Sequence, residues 1–215
     1  MGMKTHTRNL VRIFAWFANR LYILEDSYVK YTVAILASFC CAAAFSEPFA
    51  DWNKKGAWET LDENKTGHKF ELIENYSKKM KNVGKLKVCP QKWYYGEIRP
   101  VKRVLIAKTP EEFKGKFCFE AFADSIGHFT QITIRFSDSS GEIYQYVLRG
   151  APFKEGQWRK FEVPFGVGET PTVIFGGDEN KKIDYPVYFQ ALIFDGSRNY
   201  VEPLHYYIYN PEIKK

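Results

Sequence analysis

Three consecutive aromatic residues, Trp93-Tyr94-Tyr95, are the group in this sequence best suited to recognise a ligand. Successive side chains of a strand point to opposite faces, so three rings in a row cannot all enter one core. Ring faces match the apolar C–H faces of sugars, and planar polar groups match their hydroxyl rims. Hydrogen-bonding residues of the right kind recur on other segments of alternating polarity. Trp93, Tyr95, Glu97, Gln131, Arg135, Tyr146 and Gln190 form the candidate ligand-binding set. For any one of them, ordinary strand packing accounts for the residue at least as well.

Catalysis has no comparable signal. Glu97, Glu120, Asp124 and Glu142 are scattered acids without diagnostic spacing, and neither a Gly-x-Ser-x-Gly sequence nor a metal-ligand motif occurs. Paired glycosidase carboxylates can come from distant strands, but the expectation is a non-enzyme. His68, His128 and His205 lie far apart. The formal charge is +6, yet residues 1–46 contribute five basic and two acidic residues, leaving 26 and 23 interspersed over the rest. Nucleic-acid binding is not indicated.

These residues must be positioned by strands. Apolar runs at Phe117–Ala123, Phe129–Phe136, Ile143–Leu148, Trp158–Phe165, Val187–Phe194 and His205–Tyr209 are separated by turn signals such as Asp-Ser-Ser-Gly at 138–141. Short alternating runs with no helical stretch between them predict an all-β, antiparallel two-sheet β-sandwich. Parity puts Ile132 and Ile134 inside and Gln131, Thr133 and Arg135 outside. The same argument assigns Phe117, Phe119, Phe161, Val163, Phe189 and Ile193 to the core, with Trp158 closing one end. Earlier strands are expected at Trp58-Glu59, Lys69–Asn75, Leu86–Cys89, Trp93–Pro100 and Val101–Ala107, and a helical turn over Thr109–Phe113.

Tyr31–Ser46 is an uncharged stretch of 16 residues, short for a membrane span of roughly 20 and suited to the apolar core of a signal peptide. Ala44-Phe45-Ser46 permits cleavage before Glu47. The long lead containing Glu25 and Asp26 reads either as an upstream start, with initiation at Val29, or as an amphipathic helix over Leu10–Leu24. The expected organisation is a lead and signal peptide over 1–46, an exposed lead over 47–56 and a jelly-roll domain over 57–212. The protein is expected to be secreted, periplasmic or at the cell surface, without a stable membrane span after cleavage. Cys89 and Cys118 would then remain, either paired in an oxidising compartment or as two lone thiols.

Several segments resemble the galactose-binding-like jelly-roll carbohydrate-binding modules associated with glycoside hydrolases. Gly156-Gln157-Trp158-Arg159-Lys160-Phe161-Glu162-Val163-Pro164-Phe165 is similar to their recurrent Trp…Pro-Phe strand. Val83-Gly84-Lys85-Leu86-Lys87-Val88, Ser139-Ser140-Gly141, Phe175-Gly176-Gly177-Asp178 and Tyr206–Tyr209 resemble further elements. The resemblance spans about residues 57–212. It implies an exported, non-catalytic domain that binds a glycan or polysaccharide. It also implies a structural calcium ion joining the Asp62-Glu63-Asn64 turn to oxygens near the last strand, although Tyr209-Asn210 stands where paired acids are usual. No other cofactor is implied. The alternative on the same fold is a structural or assembly protein of the cell surface, similar to spirochaete flagellar outer-layer proteins, with self-association in place of sugar binding.

Overall fold

Period-two alternation of apolar and polar residues folds the chain into short strands whose apolar sides face one another. The computed structural model describes residues 49–61, 63–91, 95–124, 131–150, 153, 156–195 and 202–215. The strands are β1 (Trp58–Thr60), β2 (Lys69–Glu74), β3 (Asn82–Val88), β4 (Tyr95–Pro100), β5 (Val104–Ala107), β6 (Lys114–Ala123), β7 (Gln131–Ser137), β8 (Glu142–Arg149), β9 (Arg159–Gly166), β10 (Val173–Gly176), β11 (Val187–Asp195) and β12 (Leu204–Lys214). A single helical turn at Glu63–Thr66 and 3-10 turns at Phe49–Asp51 and Pro110–Glu112 complete the described elements. Contacts divide the chain at Ser46/Glu47; the expected signal peptide lies outside the described residues. Among those residues, no helix is long and apolar enough to cross a membrane.

All pairings are antiparallel. The larger sheet runs β1-β4-β11-β7-β8-β10, with β5 also on β11, and the smaller runs β2-β3-β12-β6-β9. This is the two-sheet jelly-roll sandwich that the alternation predicts. Rings from the two inner faces interlock between the sheets: Phe117 stacks on Phe189 at 5.1 Å, Phe194 on Tyr206 at 4.9 Å, and Phe136 lies 4.5 Å from Phe165. At one margin Trp52 and Trp58 meet edge to face at 5.1 Å. Their indole N–H groups donate to the carbonyls of Asn82 and Ala50 respectively. These bonds fasten the segment before β1 onto the sandwich.

Two features depart from the simple alternation. The ladder between β11 and β7 pairs Phe189 with Phe136 and then Ala191 with Arg135, leaving Gln190 as an extra residue in a β-bulge. Phe189, Leu192 and Phe194 therefore enter the core, while Ala191 and Ile193 turn to the outer face. Ile193 is buried, as expected, but on the side opposite to the one that unbroken parity assigns it. Second, Cys89 and Cys118 are both free thiols. Cys118 lies in β6 and Cys89 just after β3, and β12 separates these two strands.

Candidate functional site

The outer face of the larger sheet gathers polar and aromatic side chains around Arg135. Register makes the assembly unavoidable. Arg135 on β7 pairs with Gln145 on β8 and with Ala191 on β11, and Ile193 pairs in turn with Glu97 on β4. Arg135 Nη1 donates to Glu97 Oε2 at 2.9 Å, and Nε donates to Gln145 Oε1 at 2.9 Å. Its guanidinium lies 5.9 Å from the Tyr95 ring and 5.6 Å from the Phe175 ring. A planar cation is thus fixed by two side-chain acceptors and flanked by two rings. Phe175 remains 40% exposed. Two rows further along, Gln131 Nε2 donates to Asp195 Oδ2.

Charge on this face is largely answered from within. Burial pushes the Glu97 carboxyl above its ordinary value, and the positive charges of Arg135 and Arg99 oppose that rise. Asp195 is also pushed up, again by burial, against the Gln131 hydrogen bond and Arg135. Beside them Arg99 pairs with Glu59 at 2.9 Å. The Thr133 hydroxyl, buried on the same face, has no hydrogen-bond partner among the described residues.

Of the sequence-predicted set, Tyr95, Glu97, Gln131 and Arg135 come together here. Trp93 lies outside the described residues. Tyr146 departs from expectation: its alternation on β8 turns it inward, where it is 3% exposed and packs against Phe136 and Phe165. Burial raises its phenol to about 12. Tyr144 likewise faces inward and is buried. Gln190 occupies the bulge and has its Oε1 buried. For the expected calcium turn, Asp62 lies outside the described residues, and only the backbone of Glu63 is described, in the helical turn. Among the described residues no three His, Cys, Asp or Glu side chains are grouped to hold a metal ion.

Sequence reasoning missed Gln145, Phe175 and Asp195. Phe175 was masked by its Gly-Gly neighbours, which suggest a loop although Val173–Gly176 pairs with β8. Asp195 sat within a turn signal, yet it is the last residue of β11.

Two other clusters are structural. Asp138 Oδ1 accepts from the backbone N–H groups of Ser140 and Glu142, and Oδ2 from that of Asp184 at 3.0 Å. Glu142, fully buried, accepts from the Tyr144 hydroxyl and from the Lys181 backbone. These bonds tie the β7–β8 turn to the 176–184 segment. On the outer face of the smaller sheet, Trp158 lies 5.9 Å from both Phe122 and Tyr76, and Tyr207 touches the same two rings. Trp158 therefore covers the outside of a sheet, where sequence had placed it at the end of the sandwich.

No protein-family model matches this sequence, and no curated protein matches it. Solved structures resemble it in part. One is the family 11 carbohydrate-binding module of a cellulosomal cellulase of Clostridium thermocellum, with 11% identity and a TM-score of 0.49, covering 77% of this chain and 92% of that one. Another is CBM28, a carbohydrate-binding module specific for non-crystalline cellulose, with 14% identity and a TM-score of 0.47, covering 80% and 91%. A third is an exo-β-agarase, with 12% identity and a TM-score of 0.49; the match covers 78% of this chain but 24% of the enzyme.

Proposed function

We propose that this protein is a non-catalytic carbohydrate-binding domain whose ligand lies across the outer face of the larger sheet. The observation that carries this reading is the Arg135 centre: a guanidinium held by Glu97 and Gln145 between the rings of Tyr95 and Phe175. Two rings separated by a fixed polar group suit a sugar chain, which offers apolar ring faces with hydroxyls between them. Because Arg135 is paired with Glu97, and Asp195 and Glu59 lie on the same face, the ligand of this surface is neutral. The spare N–H groups of Arg135 and Gln131 donate to its hydroxyls.

The carboxylates support binding over hydrolysis. Glu97 and Asp195 are each bonded to a neighbouring side chain, Arg135 and Gln131 respectively. Export with cleavage before Glu47 belongs to the same reading, supported by the uncharged stretch at 31–46; mass spectrometry of the mature protein tests it, and a peptide from residues 4–28 would refute it.

The binding test is calorimetry against a panel of neutral oligosaccharides with the wild type and Tyr95→Ala. The expected result is weak binding that falls about tenfold or more in the variant, since a ring contact of this kind is worth on the order of 1 kcal/mol or more beyond its area. Unchanged affinity in Tyr95→Ala, or no ligand in the panel, rejects the reading.

A further inference from the structure

A second site stands apart from the Arg135 face. The turn at 51–56 and the β4–β5 connection enclose a cleft of about 370 Å³. Lys54, Lys55, Lys102 and Arg103 line it, against a single carboxylate, Asp51. Among the described residues none of these four cations forms an ion pair; Arg103 lies 5.1 Å over the Tyr188 ring. Like charges held together with a single counter-charge repel, and a site that keeps them so gains from an anionic ligand. The backbone that presents them is fixed. Lys54 N–H donates to the Asp51 carbonyl, Ala57 N–H to that of Lys54, and Val101 N–H to that of Ala57, at 2.8, 3.1 and 2.8 Å. The cations therefore project from an anchored turn whose flanks are pinned by the Trp52 and Trp58 indoles.

The positive charge also extends beyond one group. A neighbouring cleft of about 450 Å³ shares Lys54, Lys55 and Gly56 and adds Lys69, which pairs with Glu71 of the same lining at 3.6 Å. A lone inorganic anion would use a fraction of this track. The rings lining it, Trp52, Trp58 and Phe70, pack on one another, and both tryptophans are buried. A single-stranded nucleic acid would need open ring faces for its bases. An acidic sugar chain needs only cations and N–H donors at the spacing of its charged groups.

We propose that this cleft binds a segment of an acidic glycan, one carrying sulfate or carboxylate groups, independently of any neutral sugar on the Arg135 face. The test measures binding of a sulfated heparin tetrasaccharide to the full chain by calorimetry. Affinity should fall steeply as salt rises from about 50 to 200 mM, as expected when counterions are released from a polyanion. The variant Lys54→Gln/Lys55→Gln/Lys102→Gln/Arg103→Gln should keep its melting temperature and lose about tenfold or more in affinity. A control with the same charge change elsewhere, Lys108→Gln/Lys114→Gln/Lys160→Gln/Lys182→Gln, should retain most of it. Tyr95→Ala should bind the tetrasaccharide as the wild type does, which separates this proposal from the neutral-sugar reading. Equal loss in the control, no loss in the cleft variant, or tighter binding to single-stranded DNA or phosphatidylserine vesicles overturns it.

Discussion

Arg135 and Glu97 illustrate how a polar pair can be both fixed and costly. Both are largely withdrawn from water, with side chains 18% and 6% exposed. Removing one partner strands the other. Arg135→Met should push the Glu97 carboxyl further up and cost about 3 kcal/mol near neutral pH, measured by urea unfolding, with part of that loss recovered at acid pH where Glu97 is protonated. The sign for the wild type follows from linkage. A carboxyl whose folded value is raised prefers the protonated form in the fold. Its favourable contribution is complete below the ordinary carboxylate range and is lost as pH rises through the folded value. Glu97→Gln, which imitates the protonated acid, should therefore gain stability relative to wild type as pH rises from about 4 to 7. A difference independent of pH would show that Glu97 is not raised. Much of this cluster was legible in the sequence: parity alone places Gln131 and Arg135 together. What parity could not supply was the partner strand. That Gln145 and Glu97 reach Arg135 depends on register across four strands, which is set by long-range pairing.

Among the elements, β11 best shows where periodic reasoning ends. Its apolar residues on both faces correctly suggest a central strand, and it lies between β7 and the β4/β5 pair. One extra residue at Gln190 reverses every assignment beyond it, so Leu192 and Phe194 enter the core and Ile193 leaves it. Because Gln190 has no counterpart on β7, deleting it should restore a regular ladder without reversing any inward side chain. The deletion variant should fold, with a melting temperature within ~8 °C of wild type. Deleting Thr133 from β7, which has no surplus residue, should put Gln131 in the inward phase and abolish cooperative unfolding. Calorimetric scans of both variants decide the matter. Tyr146 shows the converse case: its alternation was clear, but nothing local says which of the two faces of β8 is buried.

Among the described residues, stability rests on the interlocked rings between the sheets, since Cys89 and Cys118 are free thiols. Phe161 is typical, 5.4 Å from Phe119 and 4.9 Å from Phe153. Phe161→Ala should cost roughly 3–5 kcal/mol, read from the urea midpoint. A loss below 1 kcal/mol would mean that this part of the interior is loosely filled.

The open margins of the two sheets bear on the molecule's behaviour in a crowded solution. Any strand with an unpaired side is a template for a stray chain. β9 blunts that hazard with Pro164, which has no N–H to offer, and with the alternating charges of Lys160 and Glu162. β2 carries Lys69, Glu71 and Glu74, and β1 is only three residues long. Exposed apolar side chains remain on β10, with Val173 and Phe175, and on β5, with Leu105. The ring that flanks Arg135 thus also sits at an open apolar margin, so the proposed recognition surface and a point of aggregation risk share one residue.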